Sequence, residues 1–126
     1  MRLHSPKRLV VLALALTLGT AGCAAGGGGS PRPAGASTNR IVQAELEALP
    51  QMNALQAIER LRNQWLRTRS GDAPQLYVDG ARRSSLGDLQ SILSTEIEQM
   101  QYMSASDATN RFGTGHAGGA ILVTMR

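Results

Sequence analysis

Aromatic side chains are scarce in this sequence. Only four of its 126 residues are tryptophan, tyrosine or phenylalanine, and they are Trp65, Tyr77, Tyr102 and Phe112. The part with the composition of a folded domain, residues 40–126, is also short, and a domain of that size buries only about two-thirds of its unfolded surface. We therefore expect one small domain with few large core side chains and modest stability.

An excess of charge of one sign is also lacking once the first residues are set aside. Three of the 13 basic residues, Arg2, Lys7 and Arg8, lie near the start, whereas all nine acidic residues follow residue 23. The rest of the chain has ten basic and nine acidic residues, a net charge of +1. Because nucleic-acid binding depends on neutralising several phosphates together, we expect no nucleic-acid partner.

No apolar run is long enough to cross a bilayer. The longest, residues 9–18, has about half of the roughly 20 residues that a spanning helix needs. It follows basic residues and precedes small ones, and these three parts in this order are typical of an export signal. We predict that residues 1–22 are a signal peptide.

Cysteine occurs once, at Cys23, directly after this signal. Residues 20–23, Thr-Ala-Gly-Cys, resemble the bacterial lipobox, in which the signal is cleaved before the cysteine and the thiol is acylated. The resemblance implies a palmitate-type membrane anchor on Cys23, and Ala24 is compatible with sorting to the outer membrane. Leucine is usual where Thr20 stands, and the alternative is an ordinary signal peptide with an incidental cysteine.

Small and turn-forming residues fill the stretch that follows the signal. Residues 23–39 are rich in glycine, proline and serine and offer nothing to bury, which is typical of a flexible tether. The predicted organisation is therefore a signal peptide at 1–22, the lipidated cysteine and tether at 23–39, and one domain at 40–126.

Periodicity in the first half of that domain predicts two helices after a short strand at residues 41–42. Pro50 ends the first helix, and the second is capped by Asn53 and continues to about Gly71. The apolar face of the second helix consists of Ala54, Ile58, Leu61 and Trp65. Trp65 is expected in the core. The arginines expected on the solvated side are Arg60, Arg62, Arg67 and Arg69.

The second half alternates strands with short helices. Strands are predicted at residues 75–79, 98–103 and 120–125. Helical segments are predicted after Ser85 and at residues 105–111, and Asp79-Gly80 is predicted to form a turn. The fold class is therefore α/β (α+β), with a small mixed β-sheet and short helices.

Several segments, in this order, resemble the plug domain of TonB-dependent outer-membrane receptors. The most specific are Tyr77-Val78-Asp79-Gly80, which is similar to a family strand ending in Val-Asp-Gly, and Gly118-Gly119 with residues 120–124, which are similar to the closing strand. The other segments are residues 97–103, residues 106–109 and Phe112-Gly113. The resemblance covers residues 41–125 and implies the plug fold, a non-enzymatic role without cofactor or metal, and an outer-membrane barrel or TonB-system protein as partner.

Two departures from that family bear on function. An energy-coupling box is not recognisable in the tether, and no barrel follows Arg126 in this sequence. We therefore expect a lipid-anchored, periplasm-facing plug-like domain at the outer membrane, associated with TonB-dependent transport through protein-protein contacts. The alternative is a general periplasmic adaptor or structural lipoprotein that keeps the plug fold without a transport role.

The sequence offers little for catalysis or metal binding. His116 is the only histidine after the signal, and a single imidazole has no second histidine or cysteine with which to complete a metal site. Thr114 lies nearby but has no third group to orient a base, so a small hydrolase is only the third hypothesis. We expect no enzymatic activity, no cofactor and an exposed loop histidine.

The glycine-rich stretch at residues 113–119 is predicted to be a tight connection that needs unusual backbone dihedrals. It is not a phosphate loop, because it feeds a strand and does not open a helix. The candidate interaction residues are Arg82, Arg83 and His116, and nothing in the sequence specifies a small-molecule ligand.

Overall fold

A five-stranded mixed sheet organises the computed structural model, which describes residues 31–126. Its strands are β1 (Arg40–Val42), β2 (Gln75–Val78), β3 (Ala81–Arg82), β4 (Ile97–Met103) and β5 (Ala120–Met125). They lie side by side in the order β1-β4-β5-β2-β3, and every neighbouring pair is antiparallel except β2 and β5. The predicted mixed sheet with short helices is confirmed, while β3, only two residues long, was not predicted.

Short helices connect the strands. The α-helices are α1 (Gln43–Glu47), α2 (Ala54–Arg62) and α3 (Ala105–Phe112). The 3-10 helices are Asn63–Leu66, Leu86–Ser91 and Ser94–Glu96. Within residues 31–126, no helix is both long enough and apolar enough to span a bilayer.

The start of α2 follows the capping prediction, but its end does not. Asn53 Oδ1 accepts from the Gln56 amide at 2.9 Å, and the Asn53 amide donates to Gln56 Oε1 at 3.1 Å, a reciprocal arrangement that satisfies two backbone donors. The α-helix was expected to continue to Gly71. It ends at Arg62, where the backbone leaves helical geometry with φ −148° and ψ 53°.

The 3-10 helix after α2 carries Trp65 into the core. The tryptophan is 1% exposed, as predicted, and its Nε1 donates to the Thr38 carbonyl at 2.9 Å. Gly71 lies beyond this helix, in a turn that is closed by reciprocal backbone hydrogen bonds between Arg69 and Asp72. Because the chain changes from α-helix to 3-10 helix after Arg62, the buried Trp65 side chain reaches the Thr38 carbonyl, the acceptor that its N–H group needs.

The main core lies on the sheet face covered by α1, α2 and the 3-10 helices. Tyr102 of β4 stacks on Trp65 there, with ring centroids 6.1 Å apart. Buried aliphatic side chains from every layer complete this core; those with no exposed surface include Ile41, Leu46, Ile58, Leu89, Ile97, Met100 and Ile121. Burial of this apolar area is the main term that stabilises a domain of this kind.

The second face of the sheet has a smaller cover. Helix α3 packs over one part of it, where Tyr77, Ala108 and Ala120 are buried and Phe112 and Leu122 are partly buried. The period-two pattern of β4 agrees with this division, since Met100 and Tyr102 point into the main core and Gln101 between them does not.

The turn that precedes β1 belongs to the folded part. The amide of Ser37 donates to the Arg40 carbonyl at 2.9 Å, and the Arg40 amide donates back to the Ser37 carbonyl at 3.2 Å. The backbone carbonyl of Asn39 accepts from the Tyr102 amide at 2.9 Å. The ordered contacts of the domain therefore begin before residue 40, inside the stretch whose composition predicts a tether.

One arginine of α2 is buried, contrary to the expectation of a solvated row. The side chain of Arg62 is 4% exposed, and its Nη2 lies 2.9 Å from Glu45 Oε1 on α1. Its guanidinium also donates to the carbonyls of Ser37, at 3.0 Å, and Leu61, at 2.8 Å. The prediction was wrong because Glu45 and Ser37 lie on other parts of the chain, and no local pattern brings them to the helix.

Candidate interaction site

The strands of the two segments with the most specific predicted resemblance lie next to each other in the sheet. Strands β2 and β5 are adjacent and parallel, with Tyr77 opposite Leu122 and Val78 opposite Val123. The Val-Asp-Gly strand and the closing strand, more than forty residues apart in sequence, therefore form one continuous surface.

The predicted turn at Asp79-Gly80 is confirmed. Both residues have positive φ, 48° and 80°, and they join β2 to β3 as a two-residue hairpin, for which this geometry matches the strand twist. The Asp79 amide donates to the Val123 carbonyl at 2.9 Å, and its Oδ1 accepts from the Met125 amide at 2.9 Å. The aspartate thus fixes the hairpin to the end of β5.

The glycine-rich stretch before β5 is a tight connection, as predicted. Gly113, Gly115 and Gly119 have φ values of 92°, 91° and 85°. Gly118 and Gly119 also lie against other backbone segments, so that a β-carbon would be 2.6 Å from the carbonyl oxygen of Ala73 or 2.5 Å from that of Met103. Glycine is required here by conformation and by space.

His116 is buried, and the expectation of an exposed loop histidine is wrong. Its relative exposure is 2%, because the loop folds back and places the ring beside Tyr77 and Phe112. The Tyr77 and Phe112 rings stack with centroids 4.1 Å apart, and the His116 centroid is 5.9 Å from that of Tyr77. We call these three side chains the aromatic cluster.

Hydrogen bonds fix the tautomer of this histidine. Nδ1 lies 2.8 Å from the Gly113 carbonyl oxygen, which can only accept, so Nδ1 donates. In the neutral ring, Nε2 then accepts from the Tyr77 hydroxyl at 2.8 Å. Both ring nitrogens are engaged inside the protein, which leaves neither of them directed at a substrate or a metal. Among residues 31–126 no three His, Cys, Asp or Glu side chains are grouped as a metal site.

Sequence reasoning missed this cluster, although the alternation of side chains along β2 could have indicated it. Leu76 and Val78 point into the main core, so alternation places Tyr77 on the other face, where an aromatic ring needs cover. The partner that supplies the cover, His116, lies 39 residues away.

Replacing Tyr77 with phenylalanine tests the cluster. The ring and its stacking are kept, but the buried Nε2 of His116 loses its donor, so we expect the free energy of unfolding to fall by about 1–3 kcal/mol. Urea denaturation followed by circular dichroism measures this. Unchanged stability in Tyr77→Phe would show that the hydrogen bond adds nothing to packing.

Arg82 and Arg83 lie at an edge of the sheet, where Arg82 pairs across the hairpin with Tyr77, the hydrogen-bond partner of His116. Both are exposed. The Arg82 guanidinium donates to Gln75 Oε1 at 2.9 and 3.2 Å, and the Arg83 amide donates to the Leu76 carbonyl at 2.8 Å. Of the three candidate interaction residues, the structure therefore offers these two to a partner and buries the third.

The two edges of the sheet differ in how far they are closed. At β1, Arg40 has both backbone groups bonded to Ser37, and the Val42 amide donates to Glu45 Oε2 at 3.4 Å. At β3, within residues 31–126, no strand lies on the outer side, and residues 81–85 are all exposed. The β3 edge is therefore the more open to an added strand, because both backbone groups of Arg40 and the amide of Val42 in β1 already have partners.

Comparisons of this chain with protein-family models, with curated proteins and with solved structures find no match. Cys23, the signal peptide and the first part of the tether lie outside the described residues. Lipidation, export and the plug resemblance therefore stay predictions.

Proposed function

We propose that this protein is a lipid-anchored, plug-like domain at the periplasmic side of the outer membrane, associated with TonB-dependent transport through protein-protein contacts and without enzymatic activity. The observation that supports this most is the pairing of β2 with β5, which joins the two most family-like segments in one sheet. The engagement of both His116 nitrogens supports a non-catalytic role.

The β3 edge is the surface proposed to contact the partner. A partner segment in extended conformation would pair with the backbone of β3, and acidic side chains on it would complement Arg82 and Arg83. The β1 edge is unsuited to this because the Ser37 turn and Glu45 occupy its backbone groups.

A photo-crosslinking residue at position 83 of the full chain, expressed in its own cell envelope, tests this proposal. Arg83 is suitable because its side chain is exposed and its amide hydrogen bond survives the substitution. We expect a crosslink to an outer-membrane barrel protein. The same residue at Gln51, an exposed position between α1 and α2, is the control and should give none. Equal crosslinking from both positions, or none from position 83, would contradict the proposal.

The alternative function is a periplasmic adaptor or structural lipoprotein without a transport role. It is favoured by the absence of a recognisable energy-coupling box from residues 23–39. In the same experiment, a position-specific crosslink to a periplasmic protein that is not a barrel or a TonB-system component would support the adaptor.

A further inference from the structure

Exposed arginines collect at one end of the sheet, where β1, β2 and β5 begin and β4 ends. We call this the basic end; its exposed arginines are Arg32, Arg40, Arg67 and Arg69. Shared contacts hold them there, because Thr38 accepts from both Arg32 and Trp65, and Trp65 precedes Arg67 by two residues. The Arg69 guanidinium lies 5.0 Å from the centroid of Tyr102, whose amide bonds to Asn39 next to Arg40.

Carboxylates collect at the opposite end of the sheet, where β2 and β5 end and β4 begins. These residues, which define the acidic end, are Glu47, Asp79, Glu96 and Glu98, all exposed. Arg126 is the one cation among them in the described chain: its amide donates to the Glu96 carbonyl at 3.0 Å, and its Nη2 lies 2.8 Å from Glu47 Oε1. Hydrogen bonds from Gln43 and from Arg126 lower the pKa of Glu47, which keeps this carboxyl group ionised.

The two ends differ in net charge although the domain as a whole is nearly neutral. Asp72 and Asp107 accompany the four arginines of the basic end, which leaves a net charge of +2 there. Four carboxylates and one arginine give −3 at the acidic end. Arg82, whose guanidinium bonds to Gln75 at the start of β2, and Arg83 lie at the sheet edge beside the basic end and add to its positive charge. Glu45 and Arg62 form a buried, neutral pair. Positive and negative charge are therefore separated along the direction of the strands.

The N-terminal segment enters the domain at the basic end. Residues 33–39 form the turns against Trp65 and β4, and Pro31 lies eight residues after Cys23. A glycine-rich linker of that length spans roughly 16 Å on average, and at most about 28 Å when fully extended. An anchor on Cys23 would hold the basic end, and not the acidic end, close to the bilayer surface.

From this coincidence of charge and attachment we infer that the basic end docks on anionic phospholipid headgroups of the membrane that holds the anchor. The inference rests on the lipid anchor of the proposed function. Guanidinium groups match phosphate oxygens in a bidentate geometry, and clustered cations beside an anchor are attracted to an anionic leaflet. The acidic end is repelled by the same surface, so the two charges together orient the domain.

The test measures the orientation of the mature full chain on vesicles. A fluorophore is placed at Thr68→Cys, at the basic end, or at Thr95→Cys, at the acidic end; both positions are exposed. The vesicles are phosphatidylcholine with about one quarter phosphatidylglycerol and a headgroup quencher, or phosphatidylcholine with the quencher alone. We expect the label at position 68 to be quenched about twofold more than that at position 95 on the anionic vesicles only. The difference should disappear at about 0.5 M salt, which screens exposed charges.

Two variants with the same net charge distinguish the effect of the basic end from the effect of net charge. Arg32→Gln/Arg40→Gln/Arg67→Gln should abolish the difference between the labels. Arg60→Gln/Arg111→Gln/Arg126→Gln removes the same charge from exposed arginines that are not part of the basic end and should preserve it. Equal quenching of both labels on anionic vesicles, or an equal difference on neutral ones, would overturn the docking inference and leave the anchor intact.

Failure of the anchor is recognised separately. A mature chain without an acyl group does not float with phosphatidylcholine vesicles, and mass spectrometry of the Cys23 peptide identifies it. Flotation of this non-acylated chain with the anionic vesicles at low salt then tests the basic end directly. Binding that the basic-end triple variant loses and the control variant keeps supports the inference, while no binding overturns it.

Discussion

Alanine at position 118 is expected to prevent stable folding. A β-carbon on Gly118 would lie 2.6 Å from the carbonyl oxygen of Ala73, nearer than β-carbons approach oxygen in proteins. The obstructing atoms are backbone, so no side chain can move aside. We expect a loss above about 4 kcal/mol, which is most of the stability of a small domain. Urea denaturation followed by circular dichroism measures it.

Two other glycines provide the controls. Gly115 has φ 91° but nothing within 4 Å of a β-carbon, so Gly115→Ala should cost only the roughly 1–2 kcal/mol of left-handed geometry. Gly119 combines φ 85° with a β-carbon position 2.6 Å from the Tyr102 hydroxyl, so Gly119→Ala should be at least as harmful as Gly118→Ala. Similar stability of the variants at 115 and 118 would refute the close approach as the reason for glycine.

These glycines illustrate what the sequence could and could not predict. The Gly-rich stretch indicated a connection with unusual dihedrals, and the dihedrals are confirmed. The close approach of Gly118 to Ala73 was not predictable, because it depends on β2 and β5 pairing in parallel. Local patterns predicted four of the five strands and the Asp79-Gly80 turn, whereas contacts between distant segments came only from the fold.

The candidate site shows the same division. His116 and Arg62 are both polar residues whose side-chain partners are distant in the sequence, and neither residue type is commonly fully buried. Their partners Tyr77 and Glu45 lie 39 and 17 residues away. Arg82 and Arg83 could be identified as exposed because they follow a predicted turn, but the open edge beside them required the order of the strands.

The buried Arg62–Glu45 pair leads to the second large prediction, in which Glu45→Ala lowers the free energy of unfolding by about 3–5 kcal/mol. The substitution leaves the Arg62 guanidinium, 4% exposed, without its counter-charge. Burial of an unpaired charge is far costlier than loss of a solvated pair, since water no longer compensates it. Thermal and urea denaturation of the wild-type protein and the Glu45→Ala variant at neutral pH measure the loss.

The Arg126–Glu47 pair is the matched control. Its 2.8 Å separation is close to the 2.9 Å of the buried pair, but its side chains are 41% and 54% exposed. Glu47→Ala should therefore have little effect, because surface ion pairs contribute little to stability. Equal losses in Glu45→Ala and Glu47→Ala would contradict the argument that burial makes the difference.

A double substitution separates the charge of Arg62 from its role as a hydrogen-bond donor. Glu45→Leu/Arg62→Met removes both charges, so it should recover part of the stability that Glu45→Ala loses. Recovery should be incomplete, because the carbonyls of Ser37 and Leu61 lose the guanidinium that donates to them at 3.0 and 2.8 Å. Full recovery would mean that Arg62 acts on stability through charge alone. Partial recovery would mean that the hydrogen bonds lost with the pair also matter, from Arg62 to the Ser37 turn and from Val42 to Glu45, which together close the β1 edge.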